Sequence, residues 1–318
     1  MSADGTTVPL GVRAPLASYW QIIRQAGASF MTDRAPSMGA ALSYYTLFSL
    51  APLLLIVIAV AGLTFGIEAA RGQIFGQIAS LVGADAAAMI QDLVANAYQP
   101  EKGLFATLLG VSLMLFGATT VFGELQDALD HIWQAPAREQ NSSWWSLLRS
   151  RLLSFGLILG IGFLLIVSLV MSAALAAFNA LWSPLFSSWQ LLGQALDITI
   201  NFVLLTILFA MIYKWMPRVR IAWRDVLVGA TCTAILFMLG RALIGQYIAH
   251  SSVASAFGAA GSIVVVMVWV YYSAQIFLFG AELTWSYAHV LGSLKDKPTG
   301  NISANIQSGQ HYQSLATA

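Results

Sequence analysis

Acidic and basic side chains inside apolar stretches are the residues of this sequence whose types and positions can support chemistry. Glu282 follows an uncharged run from Ser262 to Ala281, and Asp197 and Arg241 each lie within another apolar segment. A charge at the centre of a bilayer costs at least about 2.5–3.5 kcal/mol on insertion scales, so such residues normally pair or face water. These positions therefore predict either a polar interior that binds a substrate or an ion, or ion pairs that hold helices together.

A second group of polar residues accompanies these charges. Gln275 precedes Glu282 by seven residues, which places both on one stripe of a helix, and a lipid-facing amide would lack hydrogen-bond partners. We therefore expect Glu282 to line a polar cavity. Three further acids follow an apolar segment at spacings i, i+3 and i+6, near one helical face. The candidate substrate or ion site comprises Glu124, Asp127, Tyr271, Tyr272, Gln275 and Glu282.

Asp197 and Arg241 form a candidate intramembrane ion pair. From a rise of 1.5 Å per residue, we predict that they lie roughly 9 Å and 12 Å below the same membrane face. The short loop between their segments predicts antiparallel neighbouring helices. The alternatives for Arg241 are snorkelling to the interface or contact with an anionic substrate.

Composition identifies the environment of these charges. The 318 residues are 58% hydrophobic and only 9% charged, against about 25% charged in a typical soluble domain. This indicates an integral membrane protein. Cys232 is the single cysteine, so an intrachain disulfide is excluded. The first 37 residues lack the pattern of a cleavable signal peptide, so we expect the first span to direct insertion.

The pattern predicts an all-α polytopic membrane protein, with six transmembrane helices in one bundle and short interfacial helices. Residues 16–34 form a predicted amphipathic helix that either lies on the membrane surface or packs on the bundle. Pro52 should kink the first span, and residues 67–102 should form two short helices around Gly83. The membrane domain covers residues 16–291, between disordered tails at 1–15 and 292–318. The spans are predicted at about 39–65, 104–122, 152–182, 191–213, 226–249 and 262–288.

The distribution of basic residues predicts the orientation. Twelve of the 15 lysines and arginines flank the spans on one side, whereas the opposite loops contain only Arg71 and Lys102. Cytoplasmic loops carry the excess of basic residues. Both termini and the loops 134–151 and 214–224 should therefore face the cytoplasm, and residues 67–102 should face outward.

Motifs of enzymatic chemistry are missing from the sequence. It has no GxxxxGK[ST] phosphate loop, no nucleophile-elbow pattern, and no metal-ligand spacing among its four histidines. A formal net charge of +1 does not by itself indicate nucleic-acid binding. We therefore expect no enzyme activity, no cofactor, no metal and no nucleic-acid partner.

Several long motifs resemble the YihY/BrkB family of six-span bacterial inner-membrane proteins, formerly labelled ribonuclease BN-like. They are LSYYTLFSLAPLLL (42–55), FGATTVFGELQDALDHIW (116–133), RSRLLSFGLILGIGFLL (149–165), WRDVLVGA (223–230) and SAFGAAGSIVVVMVWVYYSAQIFLFGAELT (255–284). The resemblance covers roughly residues 20–290 and implies the bacterial inner membrane. It also marks Glu124, Gln126, Asp127, Tyr271, Tyr272, Gln275 and Glu282 as motif positions. Thr120 stands where the family usually has glycine.

The leading functional hypothesis is transport of a lipid-like or amphipathic envelope molecule by a polar site within the bundle. The alternative is a membrane scaffold or envelope assembly factor, in which the same charges only hold helices together. An integral membrane enzyme is the third possibility. Clustered metal ligands and a basic surface are absent from the pattern, so the sequence does not support the ribonuclease label. Membrane lipids are the expected partners, and the pattern leaves the substrate and the oligomeric state open.

Overall fold

The structure, a computed structural model, describes residues 16–82, 84–97, 120–136, 189–250 and 261–295. Within these ranges every regular element is an α-helix, as the sequence predicts. The helices are α1 (Leu16–Thr32), α2 (Ala35–Phe65), α3 (Ile67–Val82), α4 (Ala84–Ala97), α5 (residues 120–132), α6 (Trp189–Trp215), α7 (Trp223–His250) and α8 (Gly261–Val290).

Three described helices are long and apolar enough to cross a membrane, over Ile198–Trp215, Trp223–Tyr247 and Gly261–Val290. Their bounds agree closely with the predicted fourth, fifth and sixth spans. Helix α2 would add one more crossing, because its two halves are both apolar and meet at an angle of 46°. Pro52 lies between these halves, so the predicted kink is confirmed.

Several sequence predictions fall on other parts of the chain. The predicted third span at 152–182 and the tail at 1–15 lie outside the described residues. The same is true of most of the predicted second span and of the tail beyond residue 295. The total of six spans therefore stays a prediction.

Helix α8 lies at the centre of the described helices, with α1 and α2 on one side and α7 on another. Because successive residues of an α-helix are rotated by about 100°, different residues of α8 face different neighbouring helices. Phe279 lies on the first face and forms an edge-to-face ring contact with Phe30 of α1, with ring centroids 5.8 Å apart. Gly280 and Thr284 lie on the second face, against α7. The two faces differ in chemistry as well as in partner.

The contact between α7 and α8 is close because glycines face threonines across it. Gly229 of α7 lies against Thr284, and Gly280 of α8 lies against Thr233. Tyr213 of α6 closes this contact: its hydroxyl donates to the carbonyl oxygen of Phe277 at 2.7 Å and lies 3.1 Å from the Thr233 hydroxyl. Glycine lets membrane helices approach without a side chain between their backbones.

Helices α3 and α4 cover the other end of α2 and α8. The chain turns from α2 into α3 at Gly66, whose φ of 83° suits glycine. Phe75 of α3 and Ile90 of α4 form a buried apolar cluster with Ile58 of α2 and Val265 of α8. The prediction of two short helices around Gly83 is confirmed, although Gly83 itself is not described.

Helix α1 packs on the bundle, which was one of the two alternatives for residues 16–34. Ile22 and Ala26 are buried on its inner face. Tyr19 and Trp20 are exposed on its outer face, so this helix presents apolar side chains in both directions.

Candidate functional site

Glu282 is the most deeply buried acidic side chain among the described residues, with only 1% of its surface exposed. Asp33, in the turn after α1, lies close enough for its negative charge to act on Glu282. Within the described part of the chain, Oε1 of Glu282 has no hydrogen-bond partner. The site therefore brings together two acidic groups and an oxygen with unused bonding capacity.

The turn between α1 and α2 positions Asp33. Helix α1 ends at Thr32, and the backbone N–H of Asp33 still donates to the carbonyl oxygen of Ser29 at 2.8 Å. Arg34 then adopts the left-handed conformation, with φ 55° and ψ 36°, and directs the chain into α2. This reversal places an acidic side chain on the first face of α8.

Gln275 lies two turns before Glu282 on the same face of α8. Its Nε2 atom is 3.5 Å from the carbonyl oxygen of Pro36, at the long limit of a hydrogen bond, and contacts Gly39. Its Oε1 atom is buried and has no partner in the described structure. Gln275 and Glu282 thus form a polar stripe that faces α1 and α2. The cavity predicted around Glu282 stays a prediction.

Ser286 extends this stripe by one more turn. Its side chain is fully buried, and its hydroxyl has no hydrogen-bond partner among the described residues. Buried polar atoms are nearly always hydrogen-bonded in folded proteins. Three such atoms on one face of α8, from Gln275, Glu282 and Ser286, mark a region with capacity for a bound polar species.

The two candidate tyrosines lie on α8 about one turn before Gln275. Tyr271 is partly exposed. Tyr272 lies toward α7, where its hydroxyl is 3.1 Å from the position that a Cβ on Gly240 would take. Neither residue has a described contact with Glu282.

Glu124 and Asp127 lie on α5 and belong to a different group of contacts. Asp127 is exposed, and its Oδ1 lies 3.7 Å from a guanidinium nitrogen of Arg218. Asp130 is the stronger partner: its Oδ2 lies 3.1 Å from Nε of Arg218, and its Oδ1 accepts the Arg218 backbone N–H at 2.8 Å. Gln126 donates to the carbonyl oxygen of Met216 at 3.0 Å. The acidic face of α5 therefore holds this helix to the segment between α6 and α7.

Burial raises the pKa of two acidic side chains on α5. It raises the pKa of Glu124, and the neighbouring negative charge of Asp127 raises it further. Burial also raises the pKa of Asp130, against the opposing effect of its contacts with Arg218. Both groups can therefore exchange protons at higher pH than a solvated carboxyl group.

The predicted pair between Asp197 and Arg241 stays a prediction. Helices α6 and α7 are neighbours, as expected from their short connection. Arg241 is exposed, but the side chain of Asp197 lies outside the described structure. Among the basic residues expected near the inner acids, Arg220 is exposed and Arg149 and Arg151 are not described.

Sequence reasoning did not select Asp33 or Asp225 as important acids. Asp225 is 2% exposed and accepts hydrogen bonds from the hydroxyl and backbone N–H of Ser293, at 2.6 and 3.2 Å. It lies in the first turn of α7 and fastens the chain just after α8. The available signals were an acid near the end of the predicted helix 16–34, for Asp33, and an acid at a helix start, for Asp225. Within the described ranges, no three His, Cys, Asp or Glu residues are grouped to hold a metal ion.

Comparison with known proteins agrees with the resemblance seen in the motifs. A family model described as virulence factor BrkB matches residues 26–302. The chain belongs to the BrkB family. The match covers most of the sequence, including the polar stripe of α8 and the acidic face of α5.

Curated relatives of this BrkB-family chain are named UPF0761 membrane proteins. The chain is 26% identical over 268 residues to one from Azotobacter vinelandii, which covers 83% of this chain but only 62% of the relative. It is 27% identical over 275 residues to one from Psychromonas ingrahamii, which covers 80% of this chain and 83% of the relative. A relative from Tolumonas auensis is 27% identical over 266 residues, with 79% and 80% covered. No solved structure matches the chain.

Proposed function

We propose that this BrkB-family membrane protein transports a lipid-like or amphipathic molecule of the bacterial envelope. The polar stripe of Gln275, Glu282 and Ser286, together with Asp33, forms the part of the site that contacts the polar end of the substrate. An enzymatic role is not part of this proposal, since the residues of the site carry no nucleophile-and-base arrangement.

The observation that carries the proposal is the unused hydrogen-bonding capacity buried in the stripe. Oε1 of Gln275, Oε1 of Glu282 and Oγ of Ser286 are buried without partners in the described structure. A helix that served only to pack would gain stability from apolar residues at these positions, because an unsatisfied buried polar group costs roughly 1–3 kcal/mol. A polar ligand bound at the site would supply hydrogen-bond partners for these atoms.

The apolar surroundings support an amphipathic substrate. The stripe faces α1 and α2, whose outer surfaces carry exposed apolar side chains such as Trp20, Tyr44 and Phe48. A molecule with an acyl chain can lie along such surfaces while its polar end reaches the stripe. The kink of α2 at Pro52 provides a place where this wall of the site can bend.

A reconstituted system tests this proposal. The purified protein is placed in liposomes that contain a fluorescent phospholipid, and the loss of inner-leaflet fluorescence to an external quencher reports translocation. We expect translocation by the wild type, at least tenfold slower movement with Glu282→Gln, and near wild-type movement with the matched control Glu124→Gln on α5. The transport proposal is wrong if liposomes that contain the wild-type protein translocate lipid no faster than protein-free liposomes. This holds for phospholipid and for envelope lipid extracts.

The scaffold hypothesis is the second candidate, and the interface of α7 and α8 favours it. Glycine–threonine contacts and the Tyr213 hydrogen bonds make this interface a close-packed support. A scaffold should show no translocation, and Glu282→Gln should then change only the stability or abundance of the protein.

The proposed topology is six spans in the bacterial inner membrane with both termini in the cytoplasm. The asymmetry of basic residues supports it, and so do the described helices that match three of the predicted spans. Single-cysteine labelling in a Cys232→Ser background provides the test. A cysteine at position 85 should react with an impermeant reagent added from the outside, whereas one at position 220 should react only after permeabilisation. The opposite pattern would reject the orientation.

A further inference from the structure

We propose that the loop between α6 and α7, residues 216–222, binds the phosphate head group of an anionic phospholipid together with the adjoining ends of both helices. Arg220 and Arg224 supply the positive charges, and Trp215 and Trp223 hold the loop at the membrane surface. These residues belong to other elements than the polar stripe of α8. The lipid bound here need not be the molecule that the protein transports, so this site goes beyond the function proposed above.

Two tryptophans place the loop at the boundary between membrane and water. Trp215 is the last residue of the apolar segment of α6, and Trp223 is the first residue of the apolar segment of α7. Their rings meet edge to face, with centroids 6.0 Å apart, and 54% and 48% of their surfaces stay exposed. Tryptophan concentrates at the level of the lipid head groups, because its ring is apolar and its N–H needs a polar partner. The loop therefore lies at head-group depth.

Contacts with α5 and α6 fix the path of the loop. Gln126 and Asp130 of α5 hold its first half through hydrogen bonds to its backbone. Lys214 of α6 holds its second half by donating to the carbonyl oxygen of Ile221, and the Lys214 ammonium nitrogen lies 5.4 Å from the ring centroid of Trp223. A loop that is already ordered loses little conformational entropy when it binds a ligand.

Two of the arginines in this region are available to an external anion. Arg218 already contacts acidic side chains of α5. Arg220 and Arg224 are exposed, and neither forms an ion pair with any residue that the structure describes. Asp225 follows Arg224 directly, but it is buried and accepts its hydrogen bonds from Ser293. The outer surface of the loop is therefore positively charged.

The chemistry of this surface fits an anionic lipid. Arg220 and Arg224 are four residues apart, so their Cα atoms lie at most about 14 Å from each other. A guanidinium group donates two parallel N–H bonds to the oxygens of a phosphate. Trp223 and Leu227 are exposed at positions i and i+4, so they share one face of α7 beside the arginines. That face offers a surface to acyl chains, which a soluble phosphate ester lacks.

Native mass spectrometry of the purified full-length protein in detergent tests the site. Dioleoyl phosphatidylglycerol and dioleoyl phosphatidylcholine are added at equal concentration, because they share their acyl chains and differ in the charge of the head group. Each basic residue near an anionic lipid surface increases binding by roughly fivefold. We therefore expect the wild type to retain phosphatidylglycerol over phosphatidylcholine by at least about tenfold.

The variants separate this site from a general effect of charge. Arg220→Gln/Arg224→Gln should reduce the preference to less than about twofold. Arg24→Gln/Arg71→Gln, on α1 and α3, is the matched control, since it removes the same charge elsewhere and should keep the wild-type preference. Arg220→Lys/Arg224→Lys keeps both positive charges and should retain most of the preference. Size-exclusion chromatography verifies that each variant is folded.

Three results would overturn the proposed charges of the site. They are equal retention of the two lipids by the wild type, an equal loss of preference in the Arg24 and Arg71 control, and a lysine variant that behaves like the glutamine variant. Glycerophosphoglycerol, the same head group without acyl chains, should not displace the lipid at about tenfold excess; displacement would overturn the assignment to a lipid. Selective retention without translocation would leave this site intact and refute transport, whereas translocation without selective retention would refute only this site.

Discussion

Gly280→Ala should disrupt the contact between α7 and α8 and destabilise the protein. A Cβ at this position would overlap Oγ1 of Thr233, and it would lie 2.6 Å from the Tyr213 hydroxyl oxygen and 2.9 Å from Cβ of Thr233. The two backbones and the Thr233 Cβ are fixed by the helices, so a side-chain rotation alone cannot make room. Either α7 and α8 separate, or the hydroxyl groups of Thr233 and Tyr213 move.

The expected cost follows from these two effects. Forcing extra methyl volume into a packed interface typically costs about 1–3 kcal/mol. Displacing the Tyr213 hydroxyl also weakens its bond to the Phe277 carbonyl oxygen, and a buried hydrogen bond contributes roughly 0.5–1.5 kcal/mol. We therefore expect Gly280→Ala to lower the free energy of unfolding by about 2–4 kcal/mol.

Equilibrium unfolding in mixed detergent micelles measures this effect, with Gly245→Ala on α7 as the matched control. No atom lies within 4 Å of the Cβ that Gly245 would gain, so the control should be neutral or slightly stabilising. The double variant Gly280→Ala/Thr233→Ala removes the nearest clashing oxygen, and its loss should be smaller than the sum of the two single losses. Equal stability of Gly280→Ala and Gly245→Ala would refute the close contact.

Three further substitutions test the described contacts. Asp130→Ala should lower the free energy of unfolding by about 1–2 kcal/mol, because it removes the acceptor of the Arg218 backbone N–H as well as an ion pair. Asp127→Ala should lower it hardly at all, since its ion pair with Arg218 is exposed. Equal losses for the two variants in an unfolding titration would contradict this. Burial raises the pKa of Glu124, so its carboxyl group stabilises the fold at low pH, and that stability is lost as pH rises above 4.5 through the folded pKa. Glu124→Gln should therefore flatten stability against pH over this range, and an unchanged profile would be evidence against it. Arg34→Gly should raise the thermal midpoint, because it relieves a left-handed backbone that costs roughly 1 kcal/mol, and a lower midpoint would show that the arginine side chain matters more.

The helices themselves could be predicted from the sequence because their signals are local. An uncharged run long enough to cross a bilayer forces helix formation, since backbone groups in lipid must find their partners within the segment. This predicts the helix at 261–290 with little regard to its neighbours. Gly66 and Gly83 flank short apolar-periodic segments, and that local pattern predicts α3 and α4. Pro52 determines a kink because it lacks the N–H that the helix needs.

The candidate site was predictable only in part. Gln275 and Glu282 could be selected from the sequence because a polar side chain within an apolar segment costs free energy unless it finds a hydrogen-bond partner. Glu124 and Asp127 gave the same signal, yet they lie on α5, where Asp127 and Asp130 contact Arg218 and hold this helix to the chain between α6 and α7. A spacing of i, i+3 reports a shared helical face, but it does not report what that face meets.

The sequence by itself predicted the membrane environment, the helical class and the positions of the crossing helices that the structure describes, because each depends on hydropathy within one stretch of chain. Only the tertiary structure decided that the negative charge of Asp33 lies close to Glu282. These residues are far apart in sequence, and their proximity depends on a left-handed turn at Arg34 and on the packing of α1 against one face of α8. The sequence shows an acid at the end of an amphipathic helix. Whether that acid meets water, a cation or a second carboxyl group depends on the packing of helices, which no local pattern encodes.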